Sequence, residues 1–293
     1  MNKTMGQSFT AACVQNCAIN NTDQSVTECV SLIESAHNQG ADLIVLPEFC
    51  AHLHVEGKVF ETGAAPESAH AALATFSDIS RSLSTWILIG SVAVVDQNGN
   101  KRNRSFLIDP SGEVTARYDK IHMFDVSLND GEVYRESDTF TAGDKAVIAD
   151  TPFARLGLTV CYDLRFAALY RILSQSGANV LTVPAAFTHT TGKAHWHVLL
   201  RARAIETGSF VIAPCQYGYH GKARTFGHSL IIDPWGEILA EGAEDTADVV
   251  LAEIELEKVT QARLRIPALE HDRPLSLAEQ YTTHYVKRKG AAG

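Results

Sequence analysis

The stretch Arg155-Leu156-Gly157-Leu158-Thr159-Val160-Cys161-Tyr162-Asp163-Leu164-Arg165-Phe166 decides how the rest of the chain is read. The five residues after Arg155 are apolar or β-branched in character and predict a short buried strand, while Leu169, Ile172 and Leu173 recur at helical spacing. Cys161 therefore stands at a strand-to-helix turn. There the following helix would offer free backbone N–H groups and the positive end of its dipole, which favour a thiolate and an oxyanion. The place suits a nucleophile, although a free cysteine in an apolar segment is more often a small buried hydrophobe.

Working outward, the chain repeats itself. Ser176-Gly177-Ala178-Asn179-Val180-Leu181-Thr182-Val183-Pro184 echoes Gln39-Gly40-Ala41-Asp42-Leu43-Ile44-Val45-Leu46-Pro47. Likewise Ser229-Leu230-Ile231-Ile232-Asp233-Pro234-Trp235-Gly236-Glu237-Ile238 matches Ser105-Phe106-Leu107-Ile108-Asp109-Pro110-Ser111-Gly112-Glu113-Val114. Coincidence and common turn chemistry compete with duplication, but two matches in one order favour two halves of one plan.

Each half then reads β-α-β-α-β followed by a β-hairpin. In the first half a strand over residues 9–14 precedes a helix with Val26, Cys29, Val30, Ile33 and Ala36 on one face, capped by Asp23 and closed by Gly40. Residues 41–49 form an apolar run continuous enough for a strand covered on both faces, with Glu48 at its carboxyl end. A helix over 67–84 turns Ala69, Leu73, Phe76, Ile79 and Leu83 inward, a strand follows over 86–95, and Asp109-Pro110-Ser111-Gly112 turns a hairpin over 105–117. In the second half the corresponding second helix is predicted over 194–207. Two such open sheets bury their bare faces on each other, giving an α/β fold of the α-β-β-α sandwich type. We expect one domain over 1–293, with a core over about 9–256. A tail over 257–293 carries a short helix from Val259, then Ile266-Pro267 and Arg273-Pro274.

Composition excludes several classes of function. Hydrophobic residues at 45% and charged residues at 20% are ordinary globular values, and a net charge of −9 without a basic stripe argues against a nucleic-acid partner. No run approaches a membrane span, and the short polar N-terminus lacks the apolar core of a signal peptide. The six cysteines are scattered without CxxC spacing, so reduced thiols in a cytoplasmic protein are the simpler reading.

Three side chains that can do chemistry, Glu48, Lys120 and Cys161, each directly follow a predicted strand, and ligand crevices in α/β sheets lie at carboxyl ends of strands. A carboxylate can take a thiol proton and later protonate a leaving amine, while an ammonium lowers the thiol pKa and balances an oxyanion. Together they describe attack on a carbonyl through an acyl-thioester. Taken singly, Lys120 reads as a solvated surface lysine and Glu48 as a loop carboxylate. His122, His195 and His197 invite a Cys-His dyad or a metal site, but their spacing repeats no metal pattern and no cofactor is implied.

Leu46-Pro47-Glu48-Phe49, Tyr118-Asp119-Lys120-Ile121-His122 and Cys161-Tyr162-Asp163-Leu164-Arg165-Phe166 resemble, in order, the three signature blocks of the nitrilase superfamily of carbon–nitrogen hydrolases. The resemblance spans residue 9 to about 274. It implies Cys161 as nucleophile, Glu48 as general base, and Lys120 with the Tyr162 N–H as oxyanion stabilisers. A second glutamate is also implied, and Glu136 matches it better than Glu132. The segment 186–196, with Phe187, Thr188 and Thr191 as pocket candidates, resembles the Nit subgroup. Its members cleave small carboxylated amides, either deaminated glutathione or ω-amides of 2-oxo acids. Residues 197–206, with Gly227-His228-Ser229, look nearer the former. Arg165 is a candidate clamp for a substrate carboxylate, or else a structural ion pair with Asp163 or Glu206. The reading is an amidase releasing ammonia from a small amide, with an N-carbamoyl hydrolase, an acyltransferase and a non-catalytic interaction protein as alternatives. The resemblance also implies a homodimer or larger oligomer with exchanged C-terminal tails.

Overall fold

The computed structural model of the protein describes residues 8–56, 59–128 and 133–274. The first half runs β1 (Phe9–Gln15), α1 (Thr22–Asn38), β2 (Leu43–Val45), the short strands β3 (His54–Glu56), β4 (Val59–Glu61) and β5 (Ala65–Pro66), α2 (Ala71–Leu83), β6 (Trp86–Val95) and the hairpin β7 (Lys101–Ile108) with β8 (Val114–Asp119). A small hairpin of β9 (Asp125–Ser127) and β10 (Val133–Arg135) leads on to the second half. That half runs β11 (Val147–Asp150), β12 (Arg155–Leu158), α3 (Ala167–Gln175), β13 (Val180–Thr182), α4 (His189–Thr207) and β14 (Phe210–Ala213). The hairpin β15 (Tyr217–His220) with β16 (Ala223–Phe226), then β17 (Leu230–Ile232) and β18 (Ile238–Glu241), complete it, before β19 (Asp248–Ile254) and α5 (Glu257–Arg265).

The two large sheets have matching orders, β19-β1-β2-β6-β7-β8 and β11-β12-β13-β14-β17-β18. In each, the three βαβ strands are parallel and the flanking strands antiparallel. The repeated segments occupy equivalent places, β2 and β13 in the parallel centres, β7-β8 and β17-β18 as the hairpins. The halves are thus duplicates in topology.

Side-chain alternation explains why the central strands are apolar throughout. Ala11, Cys13, Leu43, Val45, Leu88 and Leu107 join one buried cluster with Leu156, Leu158, Val180 and Ile231 of the other sheet. Their neighbours Ala12, Val14, Ile44, Ile87, Ile89 and Phe106 face Ile33 and Ala36 of α1 and Leu73 and Phe76 of α2. A strand covered on both sides has no polar face. Each fully buried Leu, Ile or Val contributes about 1.5–3 kcal/mol, and neither sheet could keep this gain with one face in water.

Several expected boundaries shift for local reasons. Asn21, not Asp23, caps α1, its side chain accepting from the Gln24 N–H at 3.1 Å. The run over 41–49 is regular only over Leu43–Val45: Pro47 has no N–H for the ladder, and Phe49 turns to φ 52°. Ala69 lies exposed in a short 3-10 turn ahead of α2, and Ile172 is 54% exposed on α3 instead of facing the core. Helix α4 begins at His189, earlier than residue 194, and α5 begins at Glu257. The end of the expected tail, 275–293, lies outside the described residues.

The two proline-bearing strand ends meet at Gly90. A Cβ there would lie 2.1 Å from the Leu46 carbonyl oxygen, 2.4 Å from that of Pro47 and 2.5 Å from the Pro184 ring. None of these can move without moving the strand end that carries Glu48 or the end of β13, whose Pro184 carbonyl accepts from the Cys161 N–H. Gly90→Ala is therefore expected to destabilise the protein by about 3 kcal/mol or more, read as a lowered urea midpoint. A midpoint equal to the parent's would show that the two sheets can separate locally at no cost.

Candidate active site

Cys161 follows β12 across a tight turn. Its φ of 49° is left-handed, unusual for a residue with a side chain, and its N–H donates to the Pro184 carbonyl at 2.8 Å. The segment that follows, Cys161–Arg165, is a 3-10 helix of five residues, and the helix expected after the turn, α3, begins only at Ala167. Tyr162 occupies its second position, where a helix start leaves N–H groups without internal partners.

Asp163 joins this turn to the end of β8. Its carboxylate accepts from the Tyr118 hydroxyl at 2.6 Å, the Val160 N–H at 2.9 Å, the His122 N–H at 3.0 Å and His122 Nδ1 at 2.7 Å. Lys120, between Tyr118 and His122, is thereby tied to the cysteine turn. On the other side, Gln216 donates to the carbonyls of Glu48 at 2.7 Å and Phe49 at 3.1 Å, holding the left-handed turn after β2.

The expected groups converge. Lys120 Nζ lies 2.8 Å from Glu48 Oε1 and 2.8 Å from Glu136 Oε2, with all three side chains buried. Asn103 Nδ2 bridges the two carboxylates, donating to Glu48 Oε1 at 2.9 Å and Glu136 Oε1 at 3.0 Å. The Ala186 N–H donates to Glu48 Oε2 at 2.9 Å and the Phe124 N–H to Glu136 Oε2 at 2.7 Å. Glu132 lies outside the described residues.

These contacts set the protonation. Burial works against the Lys120 charge, but the carboxylates of Glu136 and Glu48 outweigh it and hold the ammonium well above the ordinary lysine value. Burial raises the Glu136 carboxyl, with Lys120 opposing. Burial also pushes the Cys161 thiol well above its ordinary value, and the negative charge of Glu48 pushes the same way against Lys120. The expected lowering by Lys120 is present and outweighed. The resting sulfur is therefore a protonated thiol.

Glu48, Lys120, Glu136 and Cys161 line one cavity. Tyr162, Phe187, Thr188 and Thr191 line it as expected. Arg165 does not. Its guanidinium stands over the rings of Tyr162 and Phe187, 5.7 and 5.3 Å from their centres, and meets His195 Nδ1 at 3.2 Å. Neither proposed ion pair forms: Asp163 serves the turn, and Glu206 pairs with Arg203 at 2.8 Å.

Sequence reading missed Asn103, Gln216, Asp163 and the cavity residues His220 and Arg224. Asn103 left one trace, a neutral amide between Arg102 and Arg104 at an inward strand position. Of the histidines considered, His122 pairs with Asp163 and stacks on Phe166, outside the cavity wall. His197 joins His228 and Glu241 in a cluster whose three potential ligand atoms lie within 4.8 Å of one another, and both rings already share Glu241 Oε1 at 2.9 and 2.7 Å.

The carbon-nitrogen hydrolase family profile matches residues 10–264. The chain is 43% identical over 268 residues to a deaminated glutathione amidase of Synechocystis sp., covering 90% of this chain and 97% of that one. It is 35% identical to the human omega-amidase, covering 91% and 95%. The crystal structure of the NitFhit protein of Caenorhabditis elegans superposes with a TM-score of 0.82 at 30% identity, covering 92% of this chain and 66% of that one.

Two outcomes follow from the geometry. Asn103→Leu takes one of their two shared donors from the buried carboxylates, and we expect a loss of about 2 kcal/mol in stability with turnover reduced about tenfold or more; parent-like values in both would mean that Lys120 alone orders the pair. Burial holds His220, 1% exposed, down to about 4, below its ordinary 6.5. The unfolded chain therefore takes up this proton first as pH falls. The stability from neutral His220 is complete above pH 6.5 and is lost between 6.5 and 4, about 3 kcal/mol at most. Urea titrations over that window should show the slope, and His220→Gln should flatten it.

Proposed function

The chain belongs to the carbon-nitrogen hydrolase family, and from that premise we propose that it hydrolyses the amide C–N bond of a small carboxylated substrate, deaminated glutathione, by way of a thioester on Cys161. The observation that carries this reading is the buried Glu48–Lys120–Glu136 cluster on the wall of the one cavity that Cys161 also lines.

The roles follow from the contacts. Cys161 Sγ attacks the carbonyl carbon as its proton passes to Glu48. The oxyanion forms toward Lys120 Nζ and the Tyr162 N–H, where charge on oxygen is balanced without water. The C–N bond breaks as Glu48 returns the proton to the leaving amine, which departs. Water then gives a proton to Glu48 and attacks the thioester, and the C–S bond breaks as Glu48 passes that proton to the departing sulfur, regenerating the thiol and the carboxylate. Glu136 touches Lys120 and positions it. Tyr162, Phe187, Thr188 and Thr191 shape the cavity around the acyl group.

The leaving amine separates the two substrate readings. Deaminated glutathione yields a 2-oxo dicarboxylate and the dipeptide cysteinylglycine, while an ω-amide of a 2-oxo acid yields ammonia. Identity to the Synechocystis sp. amidase supports the first and identity to the human omega-amidase the second. The reading extends to the chain as a whole, one unit with its core over about 9–256 and a tail over 257–293 in contacts between copies. A homodimer contact would cover some of the apolar side chains that are more than half exposed, Leu264 and Ile266 at the start of the tail among them. Among the described residues no helix is long and apolar enough to cross a membrane. Six free cysteines support a reducing, cytoplasmic setting.

Cys161→Ala is expected to abolish release of dipeptide and of ammonia while keeping the parent's unfolding midpoint. Glu48→Gln should stall at acylation or accumulate a thioester visible in intact-mass spectra. Normal turnover in either variant would remove that residue from the mechanism. Comparing deaminated glutathione, 2-oxoglutaramate, 2-oxosuccinamate and N-carbamoyl compounds, with dipeptide and ammonia both measured, decides the substrate.

A further inference from the structure

A cation with a donor to spare is the strongest recogniser of a substrate carboxylate, and the described cavity wall holds two permanent cations, Lys120 and Arg224. Lys120 is held between Glu48 and Glu136 beside the thiol. Arg165 stands behind Tyr162 and Phe187, off the cavity wall. His220 is neutral and has both ring nitrogens engaged, by the Ala18 carbonyl at 2.6 Å and the Thr225 hydroxyl at 2.9 Å. Thr188 and Thr191 bond each other at 2.7 Å. Most of the remaining wall is apolar, including Phe49, Leu53, Val55, Phe60 and Phe124.

Arg224 sits on β16 with one side of its guanidinium anchored. Nη2 donates to Asp245 Oδ1 and Oδ2 at 2.8 and 2.9 Å and to Glu244 Oε1 at 3.1 Å, and the same Glu244 oxygen meets His189 Nε2 at 2.9 Å. The planar group lies over Tyr219, 5.8 Å from the ring centre. Its Nε, by contrast, is buried and has no hydrogen-bond partner among the described residues. All the carboxylate contacts go to Nη2, so Nη1 is left as a donor without a partner among the described residues, free for an incoming anionic oxygen. Glu244 and Asp245 are exposed by 43% and 57%, so water screens them while they hold the guanidinium in place.

We propose that Arg224 is a specificity-determining residue that receives the substrate's carboxylate on the side of its guanidinium that Asp245 and Glu244 leave free, remote from the scissile amide, while those two carboxylates fix its orientation. The proposal rests on the carboxylated-amide reading above and assigns the recognising group. Its guanidinium is pre-ordered, so little side-chain entropy is lost when the carboxylate binds.

The test compares succinamate with its methyl ester, which removes only the negative charge, in the parent, Arg224→Gln and Arg224→Lys. The parent should prefer the acid, and Arg224→Gln should collapse that preference about tenfold or more through KM of the acid, with Arg224→Lys restoring part of it. The rate of Cys161 alkylation by iodoacetamide, within twofold of the parent, certifies an intact site. An equal loss on acid and ester, an unchanged preference, or a parent indifferent to the charge would overturn the assignment. A second arm measures 2-oxoglutarate binding to Cys161→Ala by calorimetry, with and without Arg224→Gln. If no amide is cleaved by the parent, the hydrolase reading falls and this arm decides Arg224 alone. Affinity weakened tenfold by the second substitution supports the role, and equal or undetectable binding in both refutes it.

Discussion

A lysine ammonium buried between two carboxylates is the constraint on which the site depends. Taking three charges out of water costs several kcal/mol per ion, and their attraction repays this only when every remaining donor and acceptor is satisfied. Here the two glutamates also accept from Asn103, the Ala186 N–H and the Phe124 N–H. Those donors come from β7, from the strand end after β13 and from the segment ahead of β9. The charges can exist only if the whole fold is in place, which makes the cluster a poor source of stability and a strict determinant of geometry.

The duplicated scaffold explains how one site arises from two similar halves. Both βαβ units end their central strand in a proline, and the two strand ends meet at Gly90. Beyond the prolines the halves part company. Glu48 takes the place that Ala185 holds in the second half, and the next N–H, at Ala186, donates to the Glu48 carboxylate. One half contributes the acid, the other an open backbone donor to hold it. Cys161 comes from the second half and Lys120 from the first, with the Asp163 carboxylate joining their strand ends.

The contrast between the two arginines has a geometric cause. Arg165 follows the cysteine by four residues, which on an α-helix would bring it back to nearly the same face. The chain instead makes a 3-10 turn there, and at three residues per turn a fourth-neighbour side chain points about a third of a turn away. Arg165 lands on the rings of Tyr162 and Phe187. Arg224, far along the chain, is brought to the cavity by the β15-β16 hairpin.

Much of this was legible in the residues themselves. Period and turn chemistry foretold the strand and helix order, because a strand covered on both faces must be apolar throughout and an Asp-Pro-x-Gly turn can do little else. The internal echo foretold two like sheets, and the three signature blocks foretold which carboxylate, ammonium and thiol would meet. What only the tertiary structure decided were the partners drawn from unrelated segments: Asn103 between the glutamates, Gln216 under the Glu48 turn, Asp163 between strand ends, and Arg224 in place of Arg165 at the cavity wall. The same division holds for protonation, since Lys120 alone would lower the Cys161 thiol and burial beside Glu48 reverses it. The physical reason is one of range. Periodicity, capping and turns are local and leave a pattern along the chain, whereas desolvation and hydrogen-bond pairing depend on which distant atoms arrive together, and that is fixed only when the sheets close on each other.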